Sequence, residues 1–452
     1  MKLLKCMPHI AVTLVAVAFV ASCYPETIVK EPENNQEEVE DKPTNPDKPD
    51  NPDNSTDPDN PDKPTDPDNP DEPTDPDKPG KGEIADDFDS GDGSAKNPYM
   101  IANAAQLRKL AKDLESGMTY REEYFKLKND IVVNKKVLTG NGELVANHSD
   151  LEQWKPIDKF YGTFDGDGHS ISGIYINTEQ SDQGLFGHLY GEVSNLSLTD
   201  SYIRGEDYVG GIAARAHLYR KEKLYVANII NCVNKATIKG HYFVGGIVGV
   251  CGSDDENKPV NRCGNYGNII ADEWAGGIAG RGGKIYNSYN YGKVTANQSA
   301  AGICAYCALA TFSNCVNLGI VTSNSSYAAG LFEYFRSRYD SELNNCVNYG
   351  TVASNNKEYA AVVCRIEEDD HIRVKGKNLY YLETSAKGFK YSGDGRFSDC
   401  GSRTLKQMKA PEFLNTLNSN VNKLNSQNGF KNYYCKWKTG SEGYPILEII
   451  NE

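Results

Sequence analysis

The stretch "NCVNLGIVTSNSSYAAGLF" at residues 314–332 is followed at 345–363 by "NCVNYGTVASNNKEYAAVV" and anticipated at 231–248 by "NCVNKATIKGHYFVGGIV". Self-similarity on this scale has to be read before any local motif. Aligned on the second glycine of "YVGGI", copies fall at Gly184, Gly211, Gly246, Gly277, Gly302 and Gly330, with Val362 in the glycine place of a degenerate seventh, and the separations are 27, 35, 31, 25, 28 and 32 residues. A second ladder runs through Asn234, Asn265, Asn290, Asn317 and Asn348, each followed four residues later by Ile238, Ile269, Val294, Val321 or Val352.

A unit of roughly 30 residues, built of β-prone runs with Gly at fixed places and no amphipathic helix, predicts one coil of a β-solenoid. Coils stacked about 4.8 Å apart turn equivalent residues into columns. The cysteine place, Cys232, Cys263, Ser288, Cys315 and Cys346, then becomes a column of small side chains inside the coil. Asn followed two residues later by Gly, as at Asn317 and Asn348, reads as a turn, because Asn tolerates left-handed backbone and bonds neighbouring main chain. Three residues before each glycine place stand Tyr208, Phe243, Trp274, Ser299, Tyr327 and Tyr359. Alternation puts this aromatic column on the inward face with Ile212, Ile247 and Ile278, unless a bulge at the paired glycines reverses it. If outward, Trp274, Tyr327 and Tyr359 are the leading candidates for stacking on sugar rings.

The ends are different in kind. "MKLLKCMPHIAVTLVAVAFVASC" has Lys2 and Lys5 before an apolar run too short to span a bilayer, the shape of an export signal over residues 1–22. Of the 20 prolines, 14 lie between Pro25 and Pro79, interleaved with Asp, so residues 23–93 read as an extended acidic tether that buries no core. Of the 48 Lys and Arg and 62 Asp and Glu, residues 1–93 hold 8 and 24, which leaves the remainder at +2 and gives no electrostatic case for nucleic acid. Residues 94–120 are expected to cap the first coil through Leu107, Leu110, Ala111 and Leu114 at helical spacing, and 402–452 to cap the last, with Thr404 as an N-cap and Pro411 as an interruption.

No sequence motif for catalysis is present: there is no GxSxG, HExxH or P-loop. Asp165-Gly166-Asp167-Gly168-His169 has the flavour of a calcium loop but lacks the later bidentate Glu, and reads as a tight turn. Asp86, Asp87, Asp89 and Asp92 read as solvated linker, and the run from Glu367 to His371 as an exposed loop. Cys304 and Cys307 have CxxC spacing without a second pair or a nearby His, so no metal or other cofactor is expected.

"GLFG" at 184–187 and the "GGIAG"-like copies resemble the GLUG repeat of bacterial surface proteins; "NPYMIANAAQLRKLAKDL", "WKPIDKFYGTFDGDGHSISGIYI" and "WKTGSEGYPIL" are similar to segments of such domains in lipoproteins of Bacteroides-type bacteria. Val20-Ala21-Ser22-Cys23 resembles a lipobox, which implies Cys23 as the lipid-bearing residue of an outer-membrane lipoprotein. The resemblance implies a right-handed parallel β-helix over 94–452 and a surface role in adhesion or glycan handling. The expected function is a non-catalytic binding module for carbohydrate or a surface protein; the alternative is a polysaccharide-active lyase or hydrolase.

Overall fold

The computed structural model describes residues 81–216, 218–219, 225–252, 260–336, 340–367, 374–386, 396–427 and 432–450. The export signal, Cys23, most of the tether and most of the 367–371 charge run lie outside the described residues. The chain is a right-handed parallel β-helix. One sheet stacks Tyr175–Asn177, Tyr202–Arg204, Thr237–Gly240, Ile269–Ala271, Val294–Ala296, Val321–Ser323 and Val352–Ser354; a second stacks Asp207–Gly210, Tyr242–Gly245, Trp274–Gly276, Ser299–Ala301, Tyr327–Ala329 and Glu358–Ala360. The remaining faces of each coil belong to one large sheet, and all pairings within these three are parallel.

The NCVN motif divides its labour between its two asparagines. The first, at Asn231, Asn314 and Asn345, takes the left-handed turn conformation, with φ of 53°, 59° and 54°. The second is instead strand, buried and laddered: Asn234, Asn265, Asn290 and Asn317 each donate from Nδ2 to Oδ1 of the next at 2.8 Å. The turn expected at the second asparagine therefore sits at the first, while the expected main-chain bond is present, since Asn234 Oδ1 accepts the Ala236 N–H at 3.0 Å. Every amide of this inner ladder is satisfied in a dry interior, where an orphan would cost about 1–3 kcal/mol.

The column of small side chains is inside, as expected, and the structure explains why Ser can replace Cys in it. Each member donates to the carbonyl two residues back: Cys263 to Asn261 and Cys315 to Ser313 at 3.4 Å, Ser288 to Tyr286 at 2.8 Å. The place requires a small side chain with one donor. These cysteines are buried and form no disulfide, and burial pushes the thiols of Cys232 and Cys315 up.

Glycines line the corner because the next coil passes directly beneath. A Cβ at Gly246, Gly277, Gly302 or Gly330 would lie 2.1–2.2 Å from the following coil's carbonyl oxygen. Strand register corrects the last copy: Tyr327 pairs with Glu358 and Ala329 with Ala360, so Ala361, not Val362, holds the glycine place. Among the described residues Val363–Ile366 pairs only with Phe332–Phe335, so no described strand lies beneath the methyl group of Ala361.

At the N-terminal end helix α1, Ala104–Glu115, is capped by Asn103 and buries Leu107, Leu110 and Leu114. The N-terminal cap includes residues before 94. Phe88 is 9% exposed and packs among Tyr99, Tyr120 and Phe125, and Asp89 accepts a bond from Lys128 at 3.0 Å, so this part of the acidic stretch belongs to the cap. At the other end Thr404 caps α2, Leu405–Lys409, in a capping box, and Pro411 opens α3, Pro411–Gln427. The tail then runs along the flank of several coils: Cys435 N–H donates to Asn287 Oδ1 at 3.0 Å, Trp437 Nε1 to Asn314 Oδ1 at 2.6 Å, and Asn345 Nδ2 to the Leu417 carbonyl at 3.3 Å.

Candidate functional site: an aromatic and arginine track

The aromatic column lies outside. In the second sheet the inward residues are Val244, Ala275, Ala300 and Ala328, all fully buried, so alternation turns Trp274, Ser299 and Tyr327 outward. The inward expectation fails because the corner at the glycine place resets the alternation between this strand and the next. Tyr208 and Phe243 deviate further, with left-handed backbone at φ 59° and 51°. Trp274 and Tyr327 are half-buried. Tyr359 is not among them: register sets it against Ala328, packed on the core, and Glu358 takes its expected place beside Tyr327.

Across the corner a second outward column runs parallel to the first. Strand register aligns His188, Arg215, Val250, Arg281, Tyr306, Tyr334 and Arg365, one per coil and all half-buried. The columns interdigitate into one track. Tyr306 lies edge-on to Phe243 at 5.4 Å and to Trp274 at 5.3 Å, and Trp274 meets Tyr334 at 5.7 Å. The guanidinium of Arg215 covers Tyr208 at 3.7 Å, and that of Arg365 covers Tyr327 at 3.8 Å and Tyr334 at 4.6 Å. Sequence reasoning missed this second column, although each member stands four residues after its glycine place, as Arg215 does after Gly211 and Arg281 after Gly277.

Glu333 anchors the track from below. It is fully buried, and its carboxylate receives Arg365 Nε at 2.6 Å and Nη2 at 3.0 Å, the bidentate geometry of an ion pair. Burial pushes its carboxyl up, and the two Arg365 bonds oppose that. In earlier coils the same place holds Gly249, Gly280 or Ala305. A Cβ at Gly280 would lie 2.5 Å from the Phe243 backbone, whereas above Glu333 the ladder carries only Ser299.

The track begins at a cleft. A hollow of about 550 Å³ beneath α1 is lined by Trp154, Lys155, Asp158, Asp182 and His188, among others. His188 Nδ1 lies 2.7 Å from Asp158 Oδ1, its Nε2 3.9 Å from Asp182, and Asp182 is bonded in turn by Arg215. Burial pushes the Asp158 carboxyl up, but the His188 ring and backbone bonds outweigh it and hold the group below its usual value.

Other candidates resolve as structure. Asp165 accepts the Asp167 N–H at 2.9 Å inside a turn with φ of 51° at Asp167 and 84° at Gly168, as expected. Cys304 and Cys307 are buried among apolar side chains. Among the described residues one group has the spacing of metal ligands: Glu206, Asp207 and His241, whose candidate atoms lie within 4.8 Å of one another. There the Asp207 carboxylate, 3.2 Å away, raises the His241 imidazole above its ordinary value.

No family model matches the chain. Curated relatives matching parts of it include "Halomucin" of Haloquadratum walsbyi, 29% identical over 168 residues, which are 35% of this chain and 2% of that protein. Another is a "Putative Gly-rich membrane protein" of Evansella cellulosilytica, 34% identical over 126 residues, 26% of this chain and 13% of that protein. The chain thus spans a small part of the length of either relative. A solved Bacteroides ovatus structure described as "a putative immunoglobulin A1 protease" superposes with a TM-score of 0.51 at 19% identity, covering 80% of this chain and 96% of that one. What that likeness carries is the fold: this chain shares a parallel β-helical architecture with a Bacteroides protein.

Proposed function

We propose that the chain is a surface-displayed binding module that holds an extended glycan along the track without turning it over, in the manner expected of a GLUG-repeat adhesion protein. The observation that carries this reading is the outward track of Trp274, Tyr306, Tyr327 and Tyr334, half-buried side chains held in register on a repetitive stack. Rings fixed by neighbouring coils offer sugar faces an ordered apolar surface at low entropic cost. Anchoring through Cys23 to the outer membrane and display on the acidic tether complete the proposal. The Evansella relative is described as a membrane protein, which supports this setting.

The purified protein is expected to be retained on immobilised polysaccharide, with Trp274→Ala weakening retention at least about tenfold, as loss of a stacking aromatic does. Retention unchanged in Trp274→Ala and Tyr334→Ala would remove the track from the reading. A second reading, a polysaccharide-active enzyme, is favoured by one observation: His188, flanked by Asp158 and Asp182, stands in the cleft where the track begins. New reducing ends or unsaturated products from the bound polysaccharide, abolished in His188→Ala, would select it.

A further inference from the structure

The three arginines of the track differ in how their charge is met. Arg215 is paired with Asp182 and Arg365 with Glu333. Arg281 lies between them in the same column, its guanidinium 5.4 Å from the Tyr306 ring centroid and 6.0 Å from that of Phe243, with no carboxylate in ion-pair contact among the described residues. A half-buried guanidinium with no counter-charge is costly, and two aromatic faces return only part of that cost. Arg365 adds a second donor edge: Nε and Nη2 are engaged by Glu333, and Nη1 has no acceptor among the described residues. Its plane is clamped by Tyr327 and Tyr334, so this edge is fixed in direction.

From this arrangement we infer that the ligand is an acidic polysaccharide, whose ring faces lie on the aromatics and whose carboxylate or sulfate groups are read by Arg281 and by the free edge of Arg365. The inference rests on the track being the glycan surface. A guanidinium presents a planar fork that matches either anion, which a lysine ammonium does not. Arg281 and Arg365 are three coils apart, about 14 Å at the spacing of stacked strands. They therefore address charges repeated along one chain lying parallel to the stack, not two groups of one sugar.

The test compares the purified full chain, Arg281→Gln and Arg281→Lys on immobilised polygalacturonate, its methyl ester, chondroitin sulfate, desulfated chondroitin, and neutral dextran and xylan, at low and high salt. The expected result is binding to an acidic polymer that weakens tenfold or more in both variants and in high salt, with thermal melting unchanged. Loss on methyl esterification marks carboxylate as the anion, and loss on desulfation marks sulfate. Acidic binding undiminished in Arg281→Gln overturns the inference. So does Trp274-dependent binding of neutral glycans with no preference for acidic ones, a result that leaves the proposed function standing. Binding to none of these polymers would overturn both.

Discussion

The inner asparagine ladder and the outer track occupy the same coils and follow opposite rules. Inside, one residue type repeats from Asn234 to Asn348, and each carboxamide makes the same bond to the next. Outside, the column beyond the corner changes from Arg215 through Val250 and Arg281 to Tyr306, Tyr334 and Arg365. A dry stack admits a polar group only if every copy is satisfied by its neighbours, which enforces uniformity. A solvated face has no such requirement, so its variation is where recognition can be written.

The sharpest way to break the uniform side is steric. Gly277→Val places its Cβ about 2.1 Å from the Gly302 carbonyl oxygen, and is expected to cost more than about 4 kcal/mol in denaturant titration or to prevent folding. Near-normal stability would mean the coils are not stacked as described.

Next comes the one place where the outer face reaches inward. Arg365→Met leaves Glu333 buried and unpaired, at an expected cost of about 3–5 kcal/mol near neutral pH. Burial already raises the Glu333 carboxyl above its ordinary value of 4.5, so the folded state binds its proton more tightly than the unfolded state does. Its contribution is accordingly most favourable below that value and declines as pH rises through the folded pKa. The variant should therefore recover stability on acidification, and equal losses at acidic and neutral pH would show that the carboxylate is not the cause.

Asn290→Ala removes one rung, leaving Asn265 Nδ2 with only its bond to the Gly267 carbonyl and taking a donor from Asn317 Oδ1 and from the Gly292 carbonyl, and is expected to cost about 2–3 kcal/mol. Trp274→Ala, on the outer face, should cost less in stability than this rung while losing glycan retention; the reverse order would collapse the distinction. The smallest effect belongs to Cys315→Ser, expected within about 1 kcal/mol because Ser288 already fills the same column with the same carbonyl bond.

The same contrast explains what could be read from residues alone. Asn, Cys and Gly recur at constant offsets because stacking constrains them, so the coil, its small-residue column and the helices at both ends were legible, whereas the run of the C-terminal segment along several coils was not. The facing of Trp274 was not, because parity counted through the glycine corner assumes a straight strand. Tyr359 and Val362 were misplaced for a related reason: once the glycine is lost, only hydrogen-bond register shows that Ala361 replaces it. Glu333 left a signal that went unread, a charged residue in a column otherwise held by Gly249, Gly280 and Ala305. Its partner Arg365 lies in the next coil, and no local motif links them.

The flanking tail changes how this molecule should come apart. In a bare solenoid each coil feels only its two neighbours, so melting can start at an end and propagate like an unzipping seam. Here residues 432–445 bond Arg262 through Asn432, Asn287 through Cys435, Asn314 through Trp437 and Tyr349 through Pro445, tying four successive coils to one flanking segment. Fraying from the C-terminal side must first lift that segment. The coils beneath it are bound into one cooperative block, while those before Arg262 keep the looser, sequential behaviour of an ordinary repeat, so the protein should resist pulling from its two ends unequally.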